Sequence, residues 1–171
     1  ALAEIGAIEG GGCARLALTD DDKAGRDLVV SWMEDLGLDV RIDAIGNVIA
    51  QRGGRDNSLA PVMCGSHIDT VRAGGRYDGN YGVLAGLGVL EALEQSGRTT
   101  LRPLAVAFFT DEEGSRFAPD MLGSLVYVGG LPVDEALAAV AIDGKLLGTE
   151  LQRIGYAGTA PVGCFKPNGY G

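Results

Sequence analysis

The stretch GSHIDTVRAGGRYDGNYG contains His67, the single histidine of this 171-residue chain. Asp69 follows it by two residues, and Asp78 follows a glycine-rich turn. Two further acids, Glu112 and Glu113, lie in the stretch TDEEG directly after an apolar run. One imidazole and several carboxylates form a set of nitrogen and oxygen ligands that suits Zn²⁺, Mn²⁺ or Co²⁺. These residue types therefore predict a divalent-metal site, provided that the fold brings them together.

Each member of this set has a possible part in metal-assisted hydrolysis. Asp69 could accept the second ring N–H of His67 and so fix the tautomer of the imidazole. Asp78 could bridge two metals through its two carboxylate oxygens. Of the adjacent Glu112 and Glu113, one could bind metal while the other deprotonates a water molecule. Each motif alone also suits an ordinary loop, so the prediction depends on their joint placement.

The hydrophobic pattern predicts the elements that position these residues. An amphipathic helix is expected to begin after Thr19, its N-cap, with Asp22 three residues after the cap, and to end at Gly37. Two strands are expected on either side of a turn at 45–47. The remaining predicted elements are a strand at 60–66, a helix at 82–97, a strand at 103–110, short helices within 133–143 and 146–155, and a loop-like tail at 155–171.

This order of elements predicts an α/β fold, a three-layer sandwich with a mixed, mostly parallel sheet. Sites in such folds lie beyond the carboxyl ends of the strands. If strands 60–66 and 103–110 are adjacent and parallel, the histidine and the acids should share one rim of the sheet. Cys64, within the first of these strands, is expected to be a small buried core residue.

Composition and charge restrict the classes of partner. The formal net charge is −9, with 23 acidic against 14 basic residues, and no basic stripe indicates binding to nucleic acid. The apolar runs are too short to span a bilayer, and no signal peptide is visible. Three cysteines without a CxxC pair fit a reducing cytoplasm. We therefore expect a cytoplasmic protein with neither nucleic acid nor membrane as a partner.

Three long stretches of the chain carry a family resemblance. They are GSHIDTVRAGGRYDGNYGVLAG, FFTDEEGSRFAPDMLGS and CARLALTDDDKAGRDLVVSWM. Together they resemble the N-carbamoyl-L-amino acid amidohydrolase and allantoate amidohydrolase group of the dinuclear-zinc aminoacylases and carboxypeptidases. The resemblance implies two divalent metal ions per complete site, Zn, Mn, Co or Ni. It implies that His67 binds the first metal, that Glu113 binds the second and that Asp78 bridges both. It also implies that Glu112 acts as general base and then general acid, and that Asp69 orients the histidine.

The resemblance also implies an activity and a domain organisation. Members of the group hydrolyse the carbamoyl or ureido C–N bond of N-carbamoyl-L-amino acids or allantoate, using a water activated by the metals. They are homodimers with a zinc-peptidase-like catalytic domain and a smaller lid or dimerisation domain. They also use two metal-binding histidines later in the chain, whereas this sequence has one histidine in all. Residues 1–171 are therefore expected to form the N-terminal part of an incomplete catalytic domain, without the lid domain and the C-terminal part.

Two alternatives remain open at this point. The chain could be a catalytically silent fragment or a complementing subunit of such an enzyme. It could instead belong to an aminopeptidase or deacylase of the same wider family, although DEEGSRF and GGRYDG resemble the carbamoyl and ureido branch more closely. With a single histidine, these 171 residues alone are expected to bind metal weakly and to show negligible hydrolysis.

Overall fold

A computed structural model describes residues 1–163 of the chain. The strands are β1 (Asp39–Ile42), β2 (Val48–Arg52), β3 (Val62–His67) and β4 (Leu104–Phe109). The helices are α1 (Asp20–Asp35), α2 (Asn80–Gln95), α3 (Leu122–Tyr127), α4 (Val133–Leu137) and α5 (Leu147–Ile154), and a 3-10 turn covers Leu2–Glu4.

The four strands form one mixed sheet in the order β1-β2-β4-β3. β3 and β4 are adjacent and parallel, which meets the condition for a shared rim, with His67 opposite Phe109 in the register. The α/β class and the mixed sheet are confirmed. The expectation of a mostly parallel sheet is wrong for the described residues, because β2 pairs antiparallel with both β1 and β4. A short turn joins β1 to β2, and a short turn can only return the chain in the antiparallel direction.

Most elements lie where the sequence patterns placed them. The hydroxyl of Thr19 accepts a hydrogen bond from the backbone N–H of Asp22, as expected of the N-cap of α1. The six-residue α3 was not predicted, because six residues are too few to display a helical period. The predicted tail falls partly outside the described residues. None of the helices in residues 1–163 combines the length and the apolar character that a membrane span requires.

The middle of β4, an inner strand of the sheet, is buried on both faces. Side chains alternate along β4, so that Val106 and Phe108 join the main hydrophobic core with α1 and α2. Ala105 and Ala107 point to the opposite face and pack in a second cluster with Tyr127 of α3. The rim at the carboxyl ends of β3 and β4 is therefore held by packing from both sides.

Helix α2 lies close to β3 and β4, and Gly86 permits the approach. A Cβ atom at this position would lie 2.9 Å from Sγ of Cys64 and 2.9 Å from a methyl carbon of Val106. Cys64 thus faces α2, but it is exposed, and the prediction of a buried core residue is wrong. The reason is its place on β3, which forms an edge of the described sheet.

We expect opposite effects from alanine at two glycines of α2. Gly86→Ala should destabilise the fold, because overpacking of a close interface costs about 1–3 kcal/mol. Gly88→Ala is the matched control, since a Cβ there meets no atom within 4 Å and alanine favours the helix by about 1 kcal/mol. Urea unfolding followed by circular dichroism measures both changes. Equal stabilities of the two variants would contradict the close packing of α2 on the sheet at Gly86.

Candidate metal centre

His67 ends β3 and is almost completely buried, with 5% of its surface exposed. Its Nδ1 lies 3.0 Å from the backbone carbonyl oxygen of Asp69, and 3.7 Å from Oδ1 of the same residue. The nearer partner of the ring is thus the main chain of Asp69 rather than its carboxylate. An N–H on Nδ1 would donate to this carbonyl, which leaves the lone pair of Nε2 directed toward the acidic residues.

The carboxylate of Asp69 also binds the acidic turn, a contact that the sequence did not indicate, and its role in orienting His67 stays a prediction. Its Oδ1 accepts the backbone N–H of Glu112 and its Oδ2 accepts that of Glu113, each at 3.3 Å. Burial, and then the nearby charge of Asp22, raise the pKa of Asp69 to about 6. Asp69 therefore connects the turn after β4 to the loop after β3. It holds the backbone of Glu112, the predicted base, and of Glu113, a predicted metal ligand.

Asp78 reaches the histidine because the chain turns tightly at Gly79. Oδ1 of Asp78 lies 3.9 Å from Nε2 of His67. Gly79 has a φ of +63°, and a Cβ atom there would lie 2.5 Å from Cε1 of the imidazole. Only glycine avoids both the left-handed backbone strain and this clash. The close approach of the α2 N-terminus to the histidine thus requires glycine in this turn.

The two glutamates approach the same imidazole from the turn after β4. Oε2 of Glu112 lies 3.2 Å from Nε2 of His67. One ligand atom each from His67, Asp78 and Glu113 lies within 4.8 Å of the others. Oε1 of Glu113 is buried, and no donor among residues 1–163 forms a hydrogen bond with it. Burial and the carboxylates of Asp78 and Glu112 raise the pKa of Glu113, whereas the histidine opposes this rise.

These observations test whether the three side chains fit a metal. Two ligands about 2.1 Å from one ion are at most about 4.2 Å apart, so a small contraction of the cluster would suffice. A cation would also satisfy the unpaired oxygen of Glu113 and relieve the repulsion among the carboxylates. The imidazole and carboxylate set therefore fits one divalent ion. The separate roles of His67, Asp78 and Glu113 on two metals stay predictions.

Two residues that support this rim were not predicted. Asp111 is fully buried with a left-handed φ of +52°, and burial followed by the charge of Asp69 raises its pKa to about 8. The side chain of Asn47 accepts the backbone N–H of Thr110 at 3.0 Å and donates to the carbonyl of Gly123 at 3.0 Å. Asn47 thus fixes the end of β4. Nothing in the local sequence of either residue indicates these long-range contacts.

We expect Gly79→Ala to weaken zinc binding, because its Cβ must separate the imidazole of His67 from the start of α2. Displacing the support of a ligand typically lowers metal affinity by about 10–100-fold. Gly97→Ala is the matched control, since Gly97 has a similar φ of +64° but no atom within 4 Å of the added Cβ. Competition with a chromophoric chelator measures both affinities. Equal zinc affinity of the two variants would show that the cluster does not form the binding site.

The structure and sequence have well-defined relatives. The N-carbamoyl-L-amino-acid amidohydrolase of Rhizobium meliloti is 42% identical over 169 residues, which are 99% of this chain and 41% of the relative. The allantoate deiminase of Arabidopsis thaliana is 40% identical over 108 residues, 62% of this chain and 21% of the relative. A hydantoinase/carbamoylase family amidase from Burkholderia ambifaria superposes with a TM-score of 0.93 at 52% identity, covering 94% of this chain and 40% of that one.

These matches agree on the class of protein. The chain spans about 40% of the length of the Rhizobium and Burkholderia proteins. The sequence model of peptidase family M20/M25/M40 matches residues 63–156, a segment that includes the histidine and every acid of the cluster. Since this segment is more than half of the sequence, the chain belongs to peptidase family M20/M25/M40.

Proposed function

We propose that this chain forms the N-terminal part of the catalytic domain of a metal-dependent amidohydrolase. The observation that carries the proposal is the convergence of His67, Asp78 and Glu113 on one point, with Glu112 directly beside them. The proposed reaction is cleavage of the carbamoyl or ureido C–N bond of an N-carbamoyl-L-amino acid or of allantoate. The names of the relatives support this substrate class.

A divalent cation, when bound, would polarise the scissile carbonyl and acidify a water molecule. His67, Asp78 and Glu113 would hold it, and the carboxylate of Glu112 lies close enough to serve as the base. Glu112 takes a proton from the attacking water and returns it to the nitrogen that leaves when the C–N bond breaks. For an N-carbamoyl amino acid, one water is consumed and the products are the amino acid, carbon dioxide and ammonia.

Glu112 suits this task because its side chain is accessible and its backbone is fixed by hydrogen bonds. About a third of it is exposed, so substrate and water can reach the carboxylate. Its backbone is fixed at both polar groups, since its N–H donates to Asp69 and its carbonyl accepts the N–H of Met121 at 2.7 Å. A base held in this way can exchange protons repeatedly without leaving the site.

The complete site is proposed to hold two ions, with Asp78 between them. Within residues 1–163, three ligands lie together, fewer than two catalytic ions need. We propose that the remaining ligands, including two histidines, come from a C-terminal part of the catalytic domain, and that a lid domain completes a cytoplasmic homodimer. The free thiols of Cys13 and Cys64 are compatible with a reducing compartment.

A second candidate function is that of a complementing subunit. The observation that favours it is the set of three ligands within residues 1–163, fewer than two catalytic ions need, so that another polypeptide would supply the remaining ligands. Alone it would then be catalytically silent. In both proposals the same residues hold the metal, so activity depends on joining this chain to the rest of the fold.

A chimaera tests the proposal directly. The segment of the Rhizobium meliloti enzyme that matches this chain is replaced by residues 1–163, and ammonia release from N-carbamoyl-L-amino acids is measured with Zn²⁺, Mn²⁺ or Co²⁺. We expect the chimaera to hydrolyse these compounds. Glu112→Gln should lower kcat by about 10²–10⁴-fold while the metal content is unchanged, because only the base is lost.

The control for this substitution is Glu91→Gln, since Glu91 is exposed on α2 and far from the rim. It should leave the rate unchanged. A folded, metal-loaded chimaera that hydrolyses neither N-carbamoyl amino acids nor allantoate would refute the substrate class. An active chimaera that tolerates Glu112→Gln would refute the role of the base.

A further inference from the structure

Arg15 is a buried cation in an unusual setting. Its side chain is fully buried in the segment before α1. The guanidinium donates to the carbonyl oxygens of Leu2 at 3.1 Å, Ile5 at 2.8 Å and Ile68 at 2.9 Å, and to Oδ1 of Asn80 at 3.0 Å. All these acceptors are neutral. Burying a charge without an opposite charge is costly, so the contacts that this arginine makes must offset that cost.

One contact reaches the loop that carries the histidine. Ile68, whose carbonyl accepts from Nε of Arg15, lies between His67 and Asp69 in the chain. The backbone N–H of Arg15 donates to Oγ1 of Thr70 at 2.7 Å, and its carbonyl accepts the N–H of Thr70 at 2.9 Å. Two hydrogen bonds of Arg15 therefore fix the main chain immediately after the histidine, and a third holds the side chain of Thr70.

The other contact reaches the turn that carries Asp78. Asn80, the first residue of α2, accepts from Nη2 of Arg15 and donates through Nδ2 to the carbonyl of Arg76 at 3.1 Å. Its backbone N–H also donates to the carbonyl of Asp78 at 2.6 Å. The side chain of Asn80 thus closes the turn around Asp78, and Arg15 fixes the side chain of Asn80.

We propose that Arg15 is a positioning residue that sets the separation between His67 and Asp78. These two side chains come from different segments, and the planar guanidinium donates to both segments at once. A lysine would carry the same charge but lacks the rigid fork that spans the two acceptors. The inference rests on the proposed metal site for its purpose, while the contacts that carry it involve no metal.

A glycine in α1 provides the space for this side chain. A Cβ atom at Gly25 would lie 2.8 Å from Cδ of Arg15 and 3.1 Å from its Nε. Gly25→Ala therefore displaces the arginine without removing it, from a helix that contributes no ligand to the cluster. It offers a second, independent way to disturb the same contacts.

The single histidine makes the test direct, because His67 gives the only imidazole signals in an NMR spectrum of the chain. Long-range ¹H–¹⁵N spectra of the metal-free protein, at a pH where the ring is neutral, report which nitrogen carries the proton. We expect the Nδ1–H tautomer in the unmodified chain. Arg15→Lys and Gly25→Ala should shift the tautomer population and lower zinc affinity by about 10–100-fold, the usual effect of losing an outer support of a ligand.

Arg52→Lys is the control, because Arg52 is a mostly buried arginine at the opposite end of the sheet. It should leave the histidine signals and the zinc affinity unchanged. The proposal is overturned if Arg15→Lys and Gly25→Ala keep the tautomer of the unmodified chain, or if Arg52→Lys changes it equally. Failure of the unmodified chain to bind zinc would count against the proposed function instead, and the tautomer measurement would still decide the role of Arg15.

Discussion

The parallel pairing of β3 with β4 is the constraint on which the site depends. It sets His67 opposite Phe109, so the loop after one strand and the acidic turn after the other emerge side by side. Gly65 allows this pairing to be close, because a Cβ at that position would fall inside van der Waals contact with the carbonyl of Ala107. Sites at the carboxyl ends of parallel strands have this origin in general, since the strands deliver consecutive loops to one edge.

The second constraint is the concentration of negative charge at this edge. Burial and mutual repulsion raise the pKa values of Asp69, Asp111 and Glu113, so the fold holds these acids together at an energetic cost. Backbone N–H groups offset part of this energetic cost at Asp69, and a bound cation would offset a further part at Glu113. In the proposed mechanism, the same concentration of charge places Glu112 as a base beside a metal. Stability and function therefore make opposite demands on these residues.

Several features of this protein followed from local sequence alone. Thr19 and Asp22 mark the start of α1, because a capping hydroxyl and its N–H partner are close neighbours in the chain. The order of strand, helix and strand is compatible with parallel pairing of β3 and β4, and the structure supplies that pairing. His67, Asp78 and Glu113 were selected by residue type and family resemblance, and the structure places them close together.

Other features were decided only when distant segments met. The carboxylate of Asp69 lies near the histidine ring, and it also accepts hydrogen bonds from the backbone of the acidic turn more than forty residues later, which the sequence did not indicate. Cys64 has the sequence context of a core residue, yet its strand lies at the edge of the sheet. The contacts of Arg15 with the site segments have no local signal, because Ile68 and Asn80 lie 53 and 65 residues away. Local sequence determines which hydrogen-bonding groups and apolar faces exist, whereas long-range packing decides which of them are brought within a few ångströms of each other.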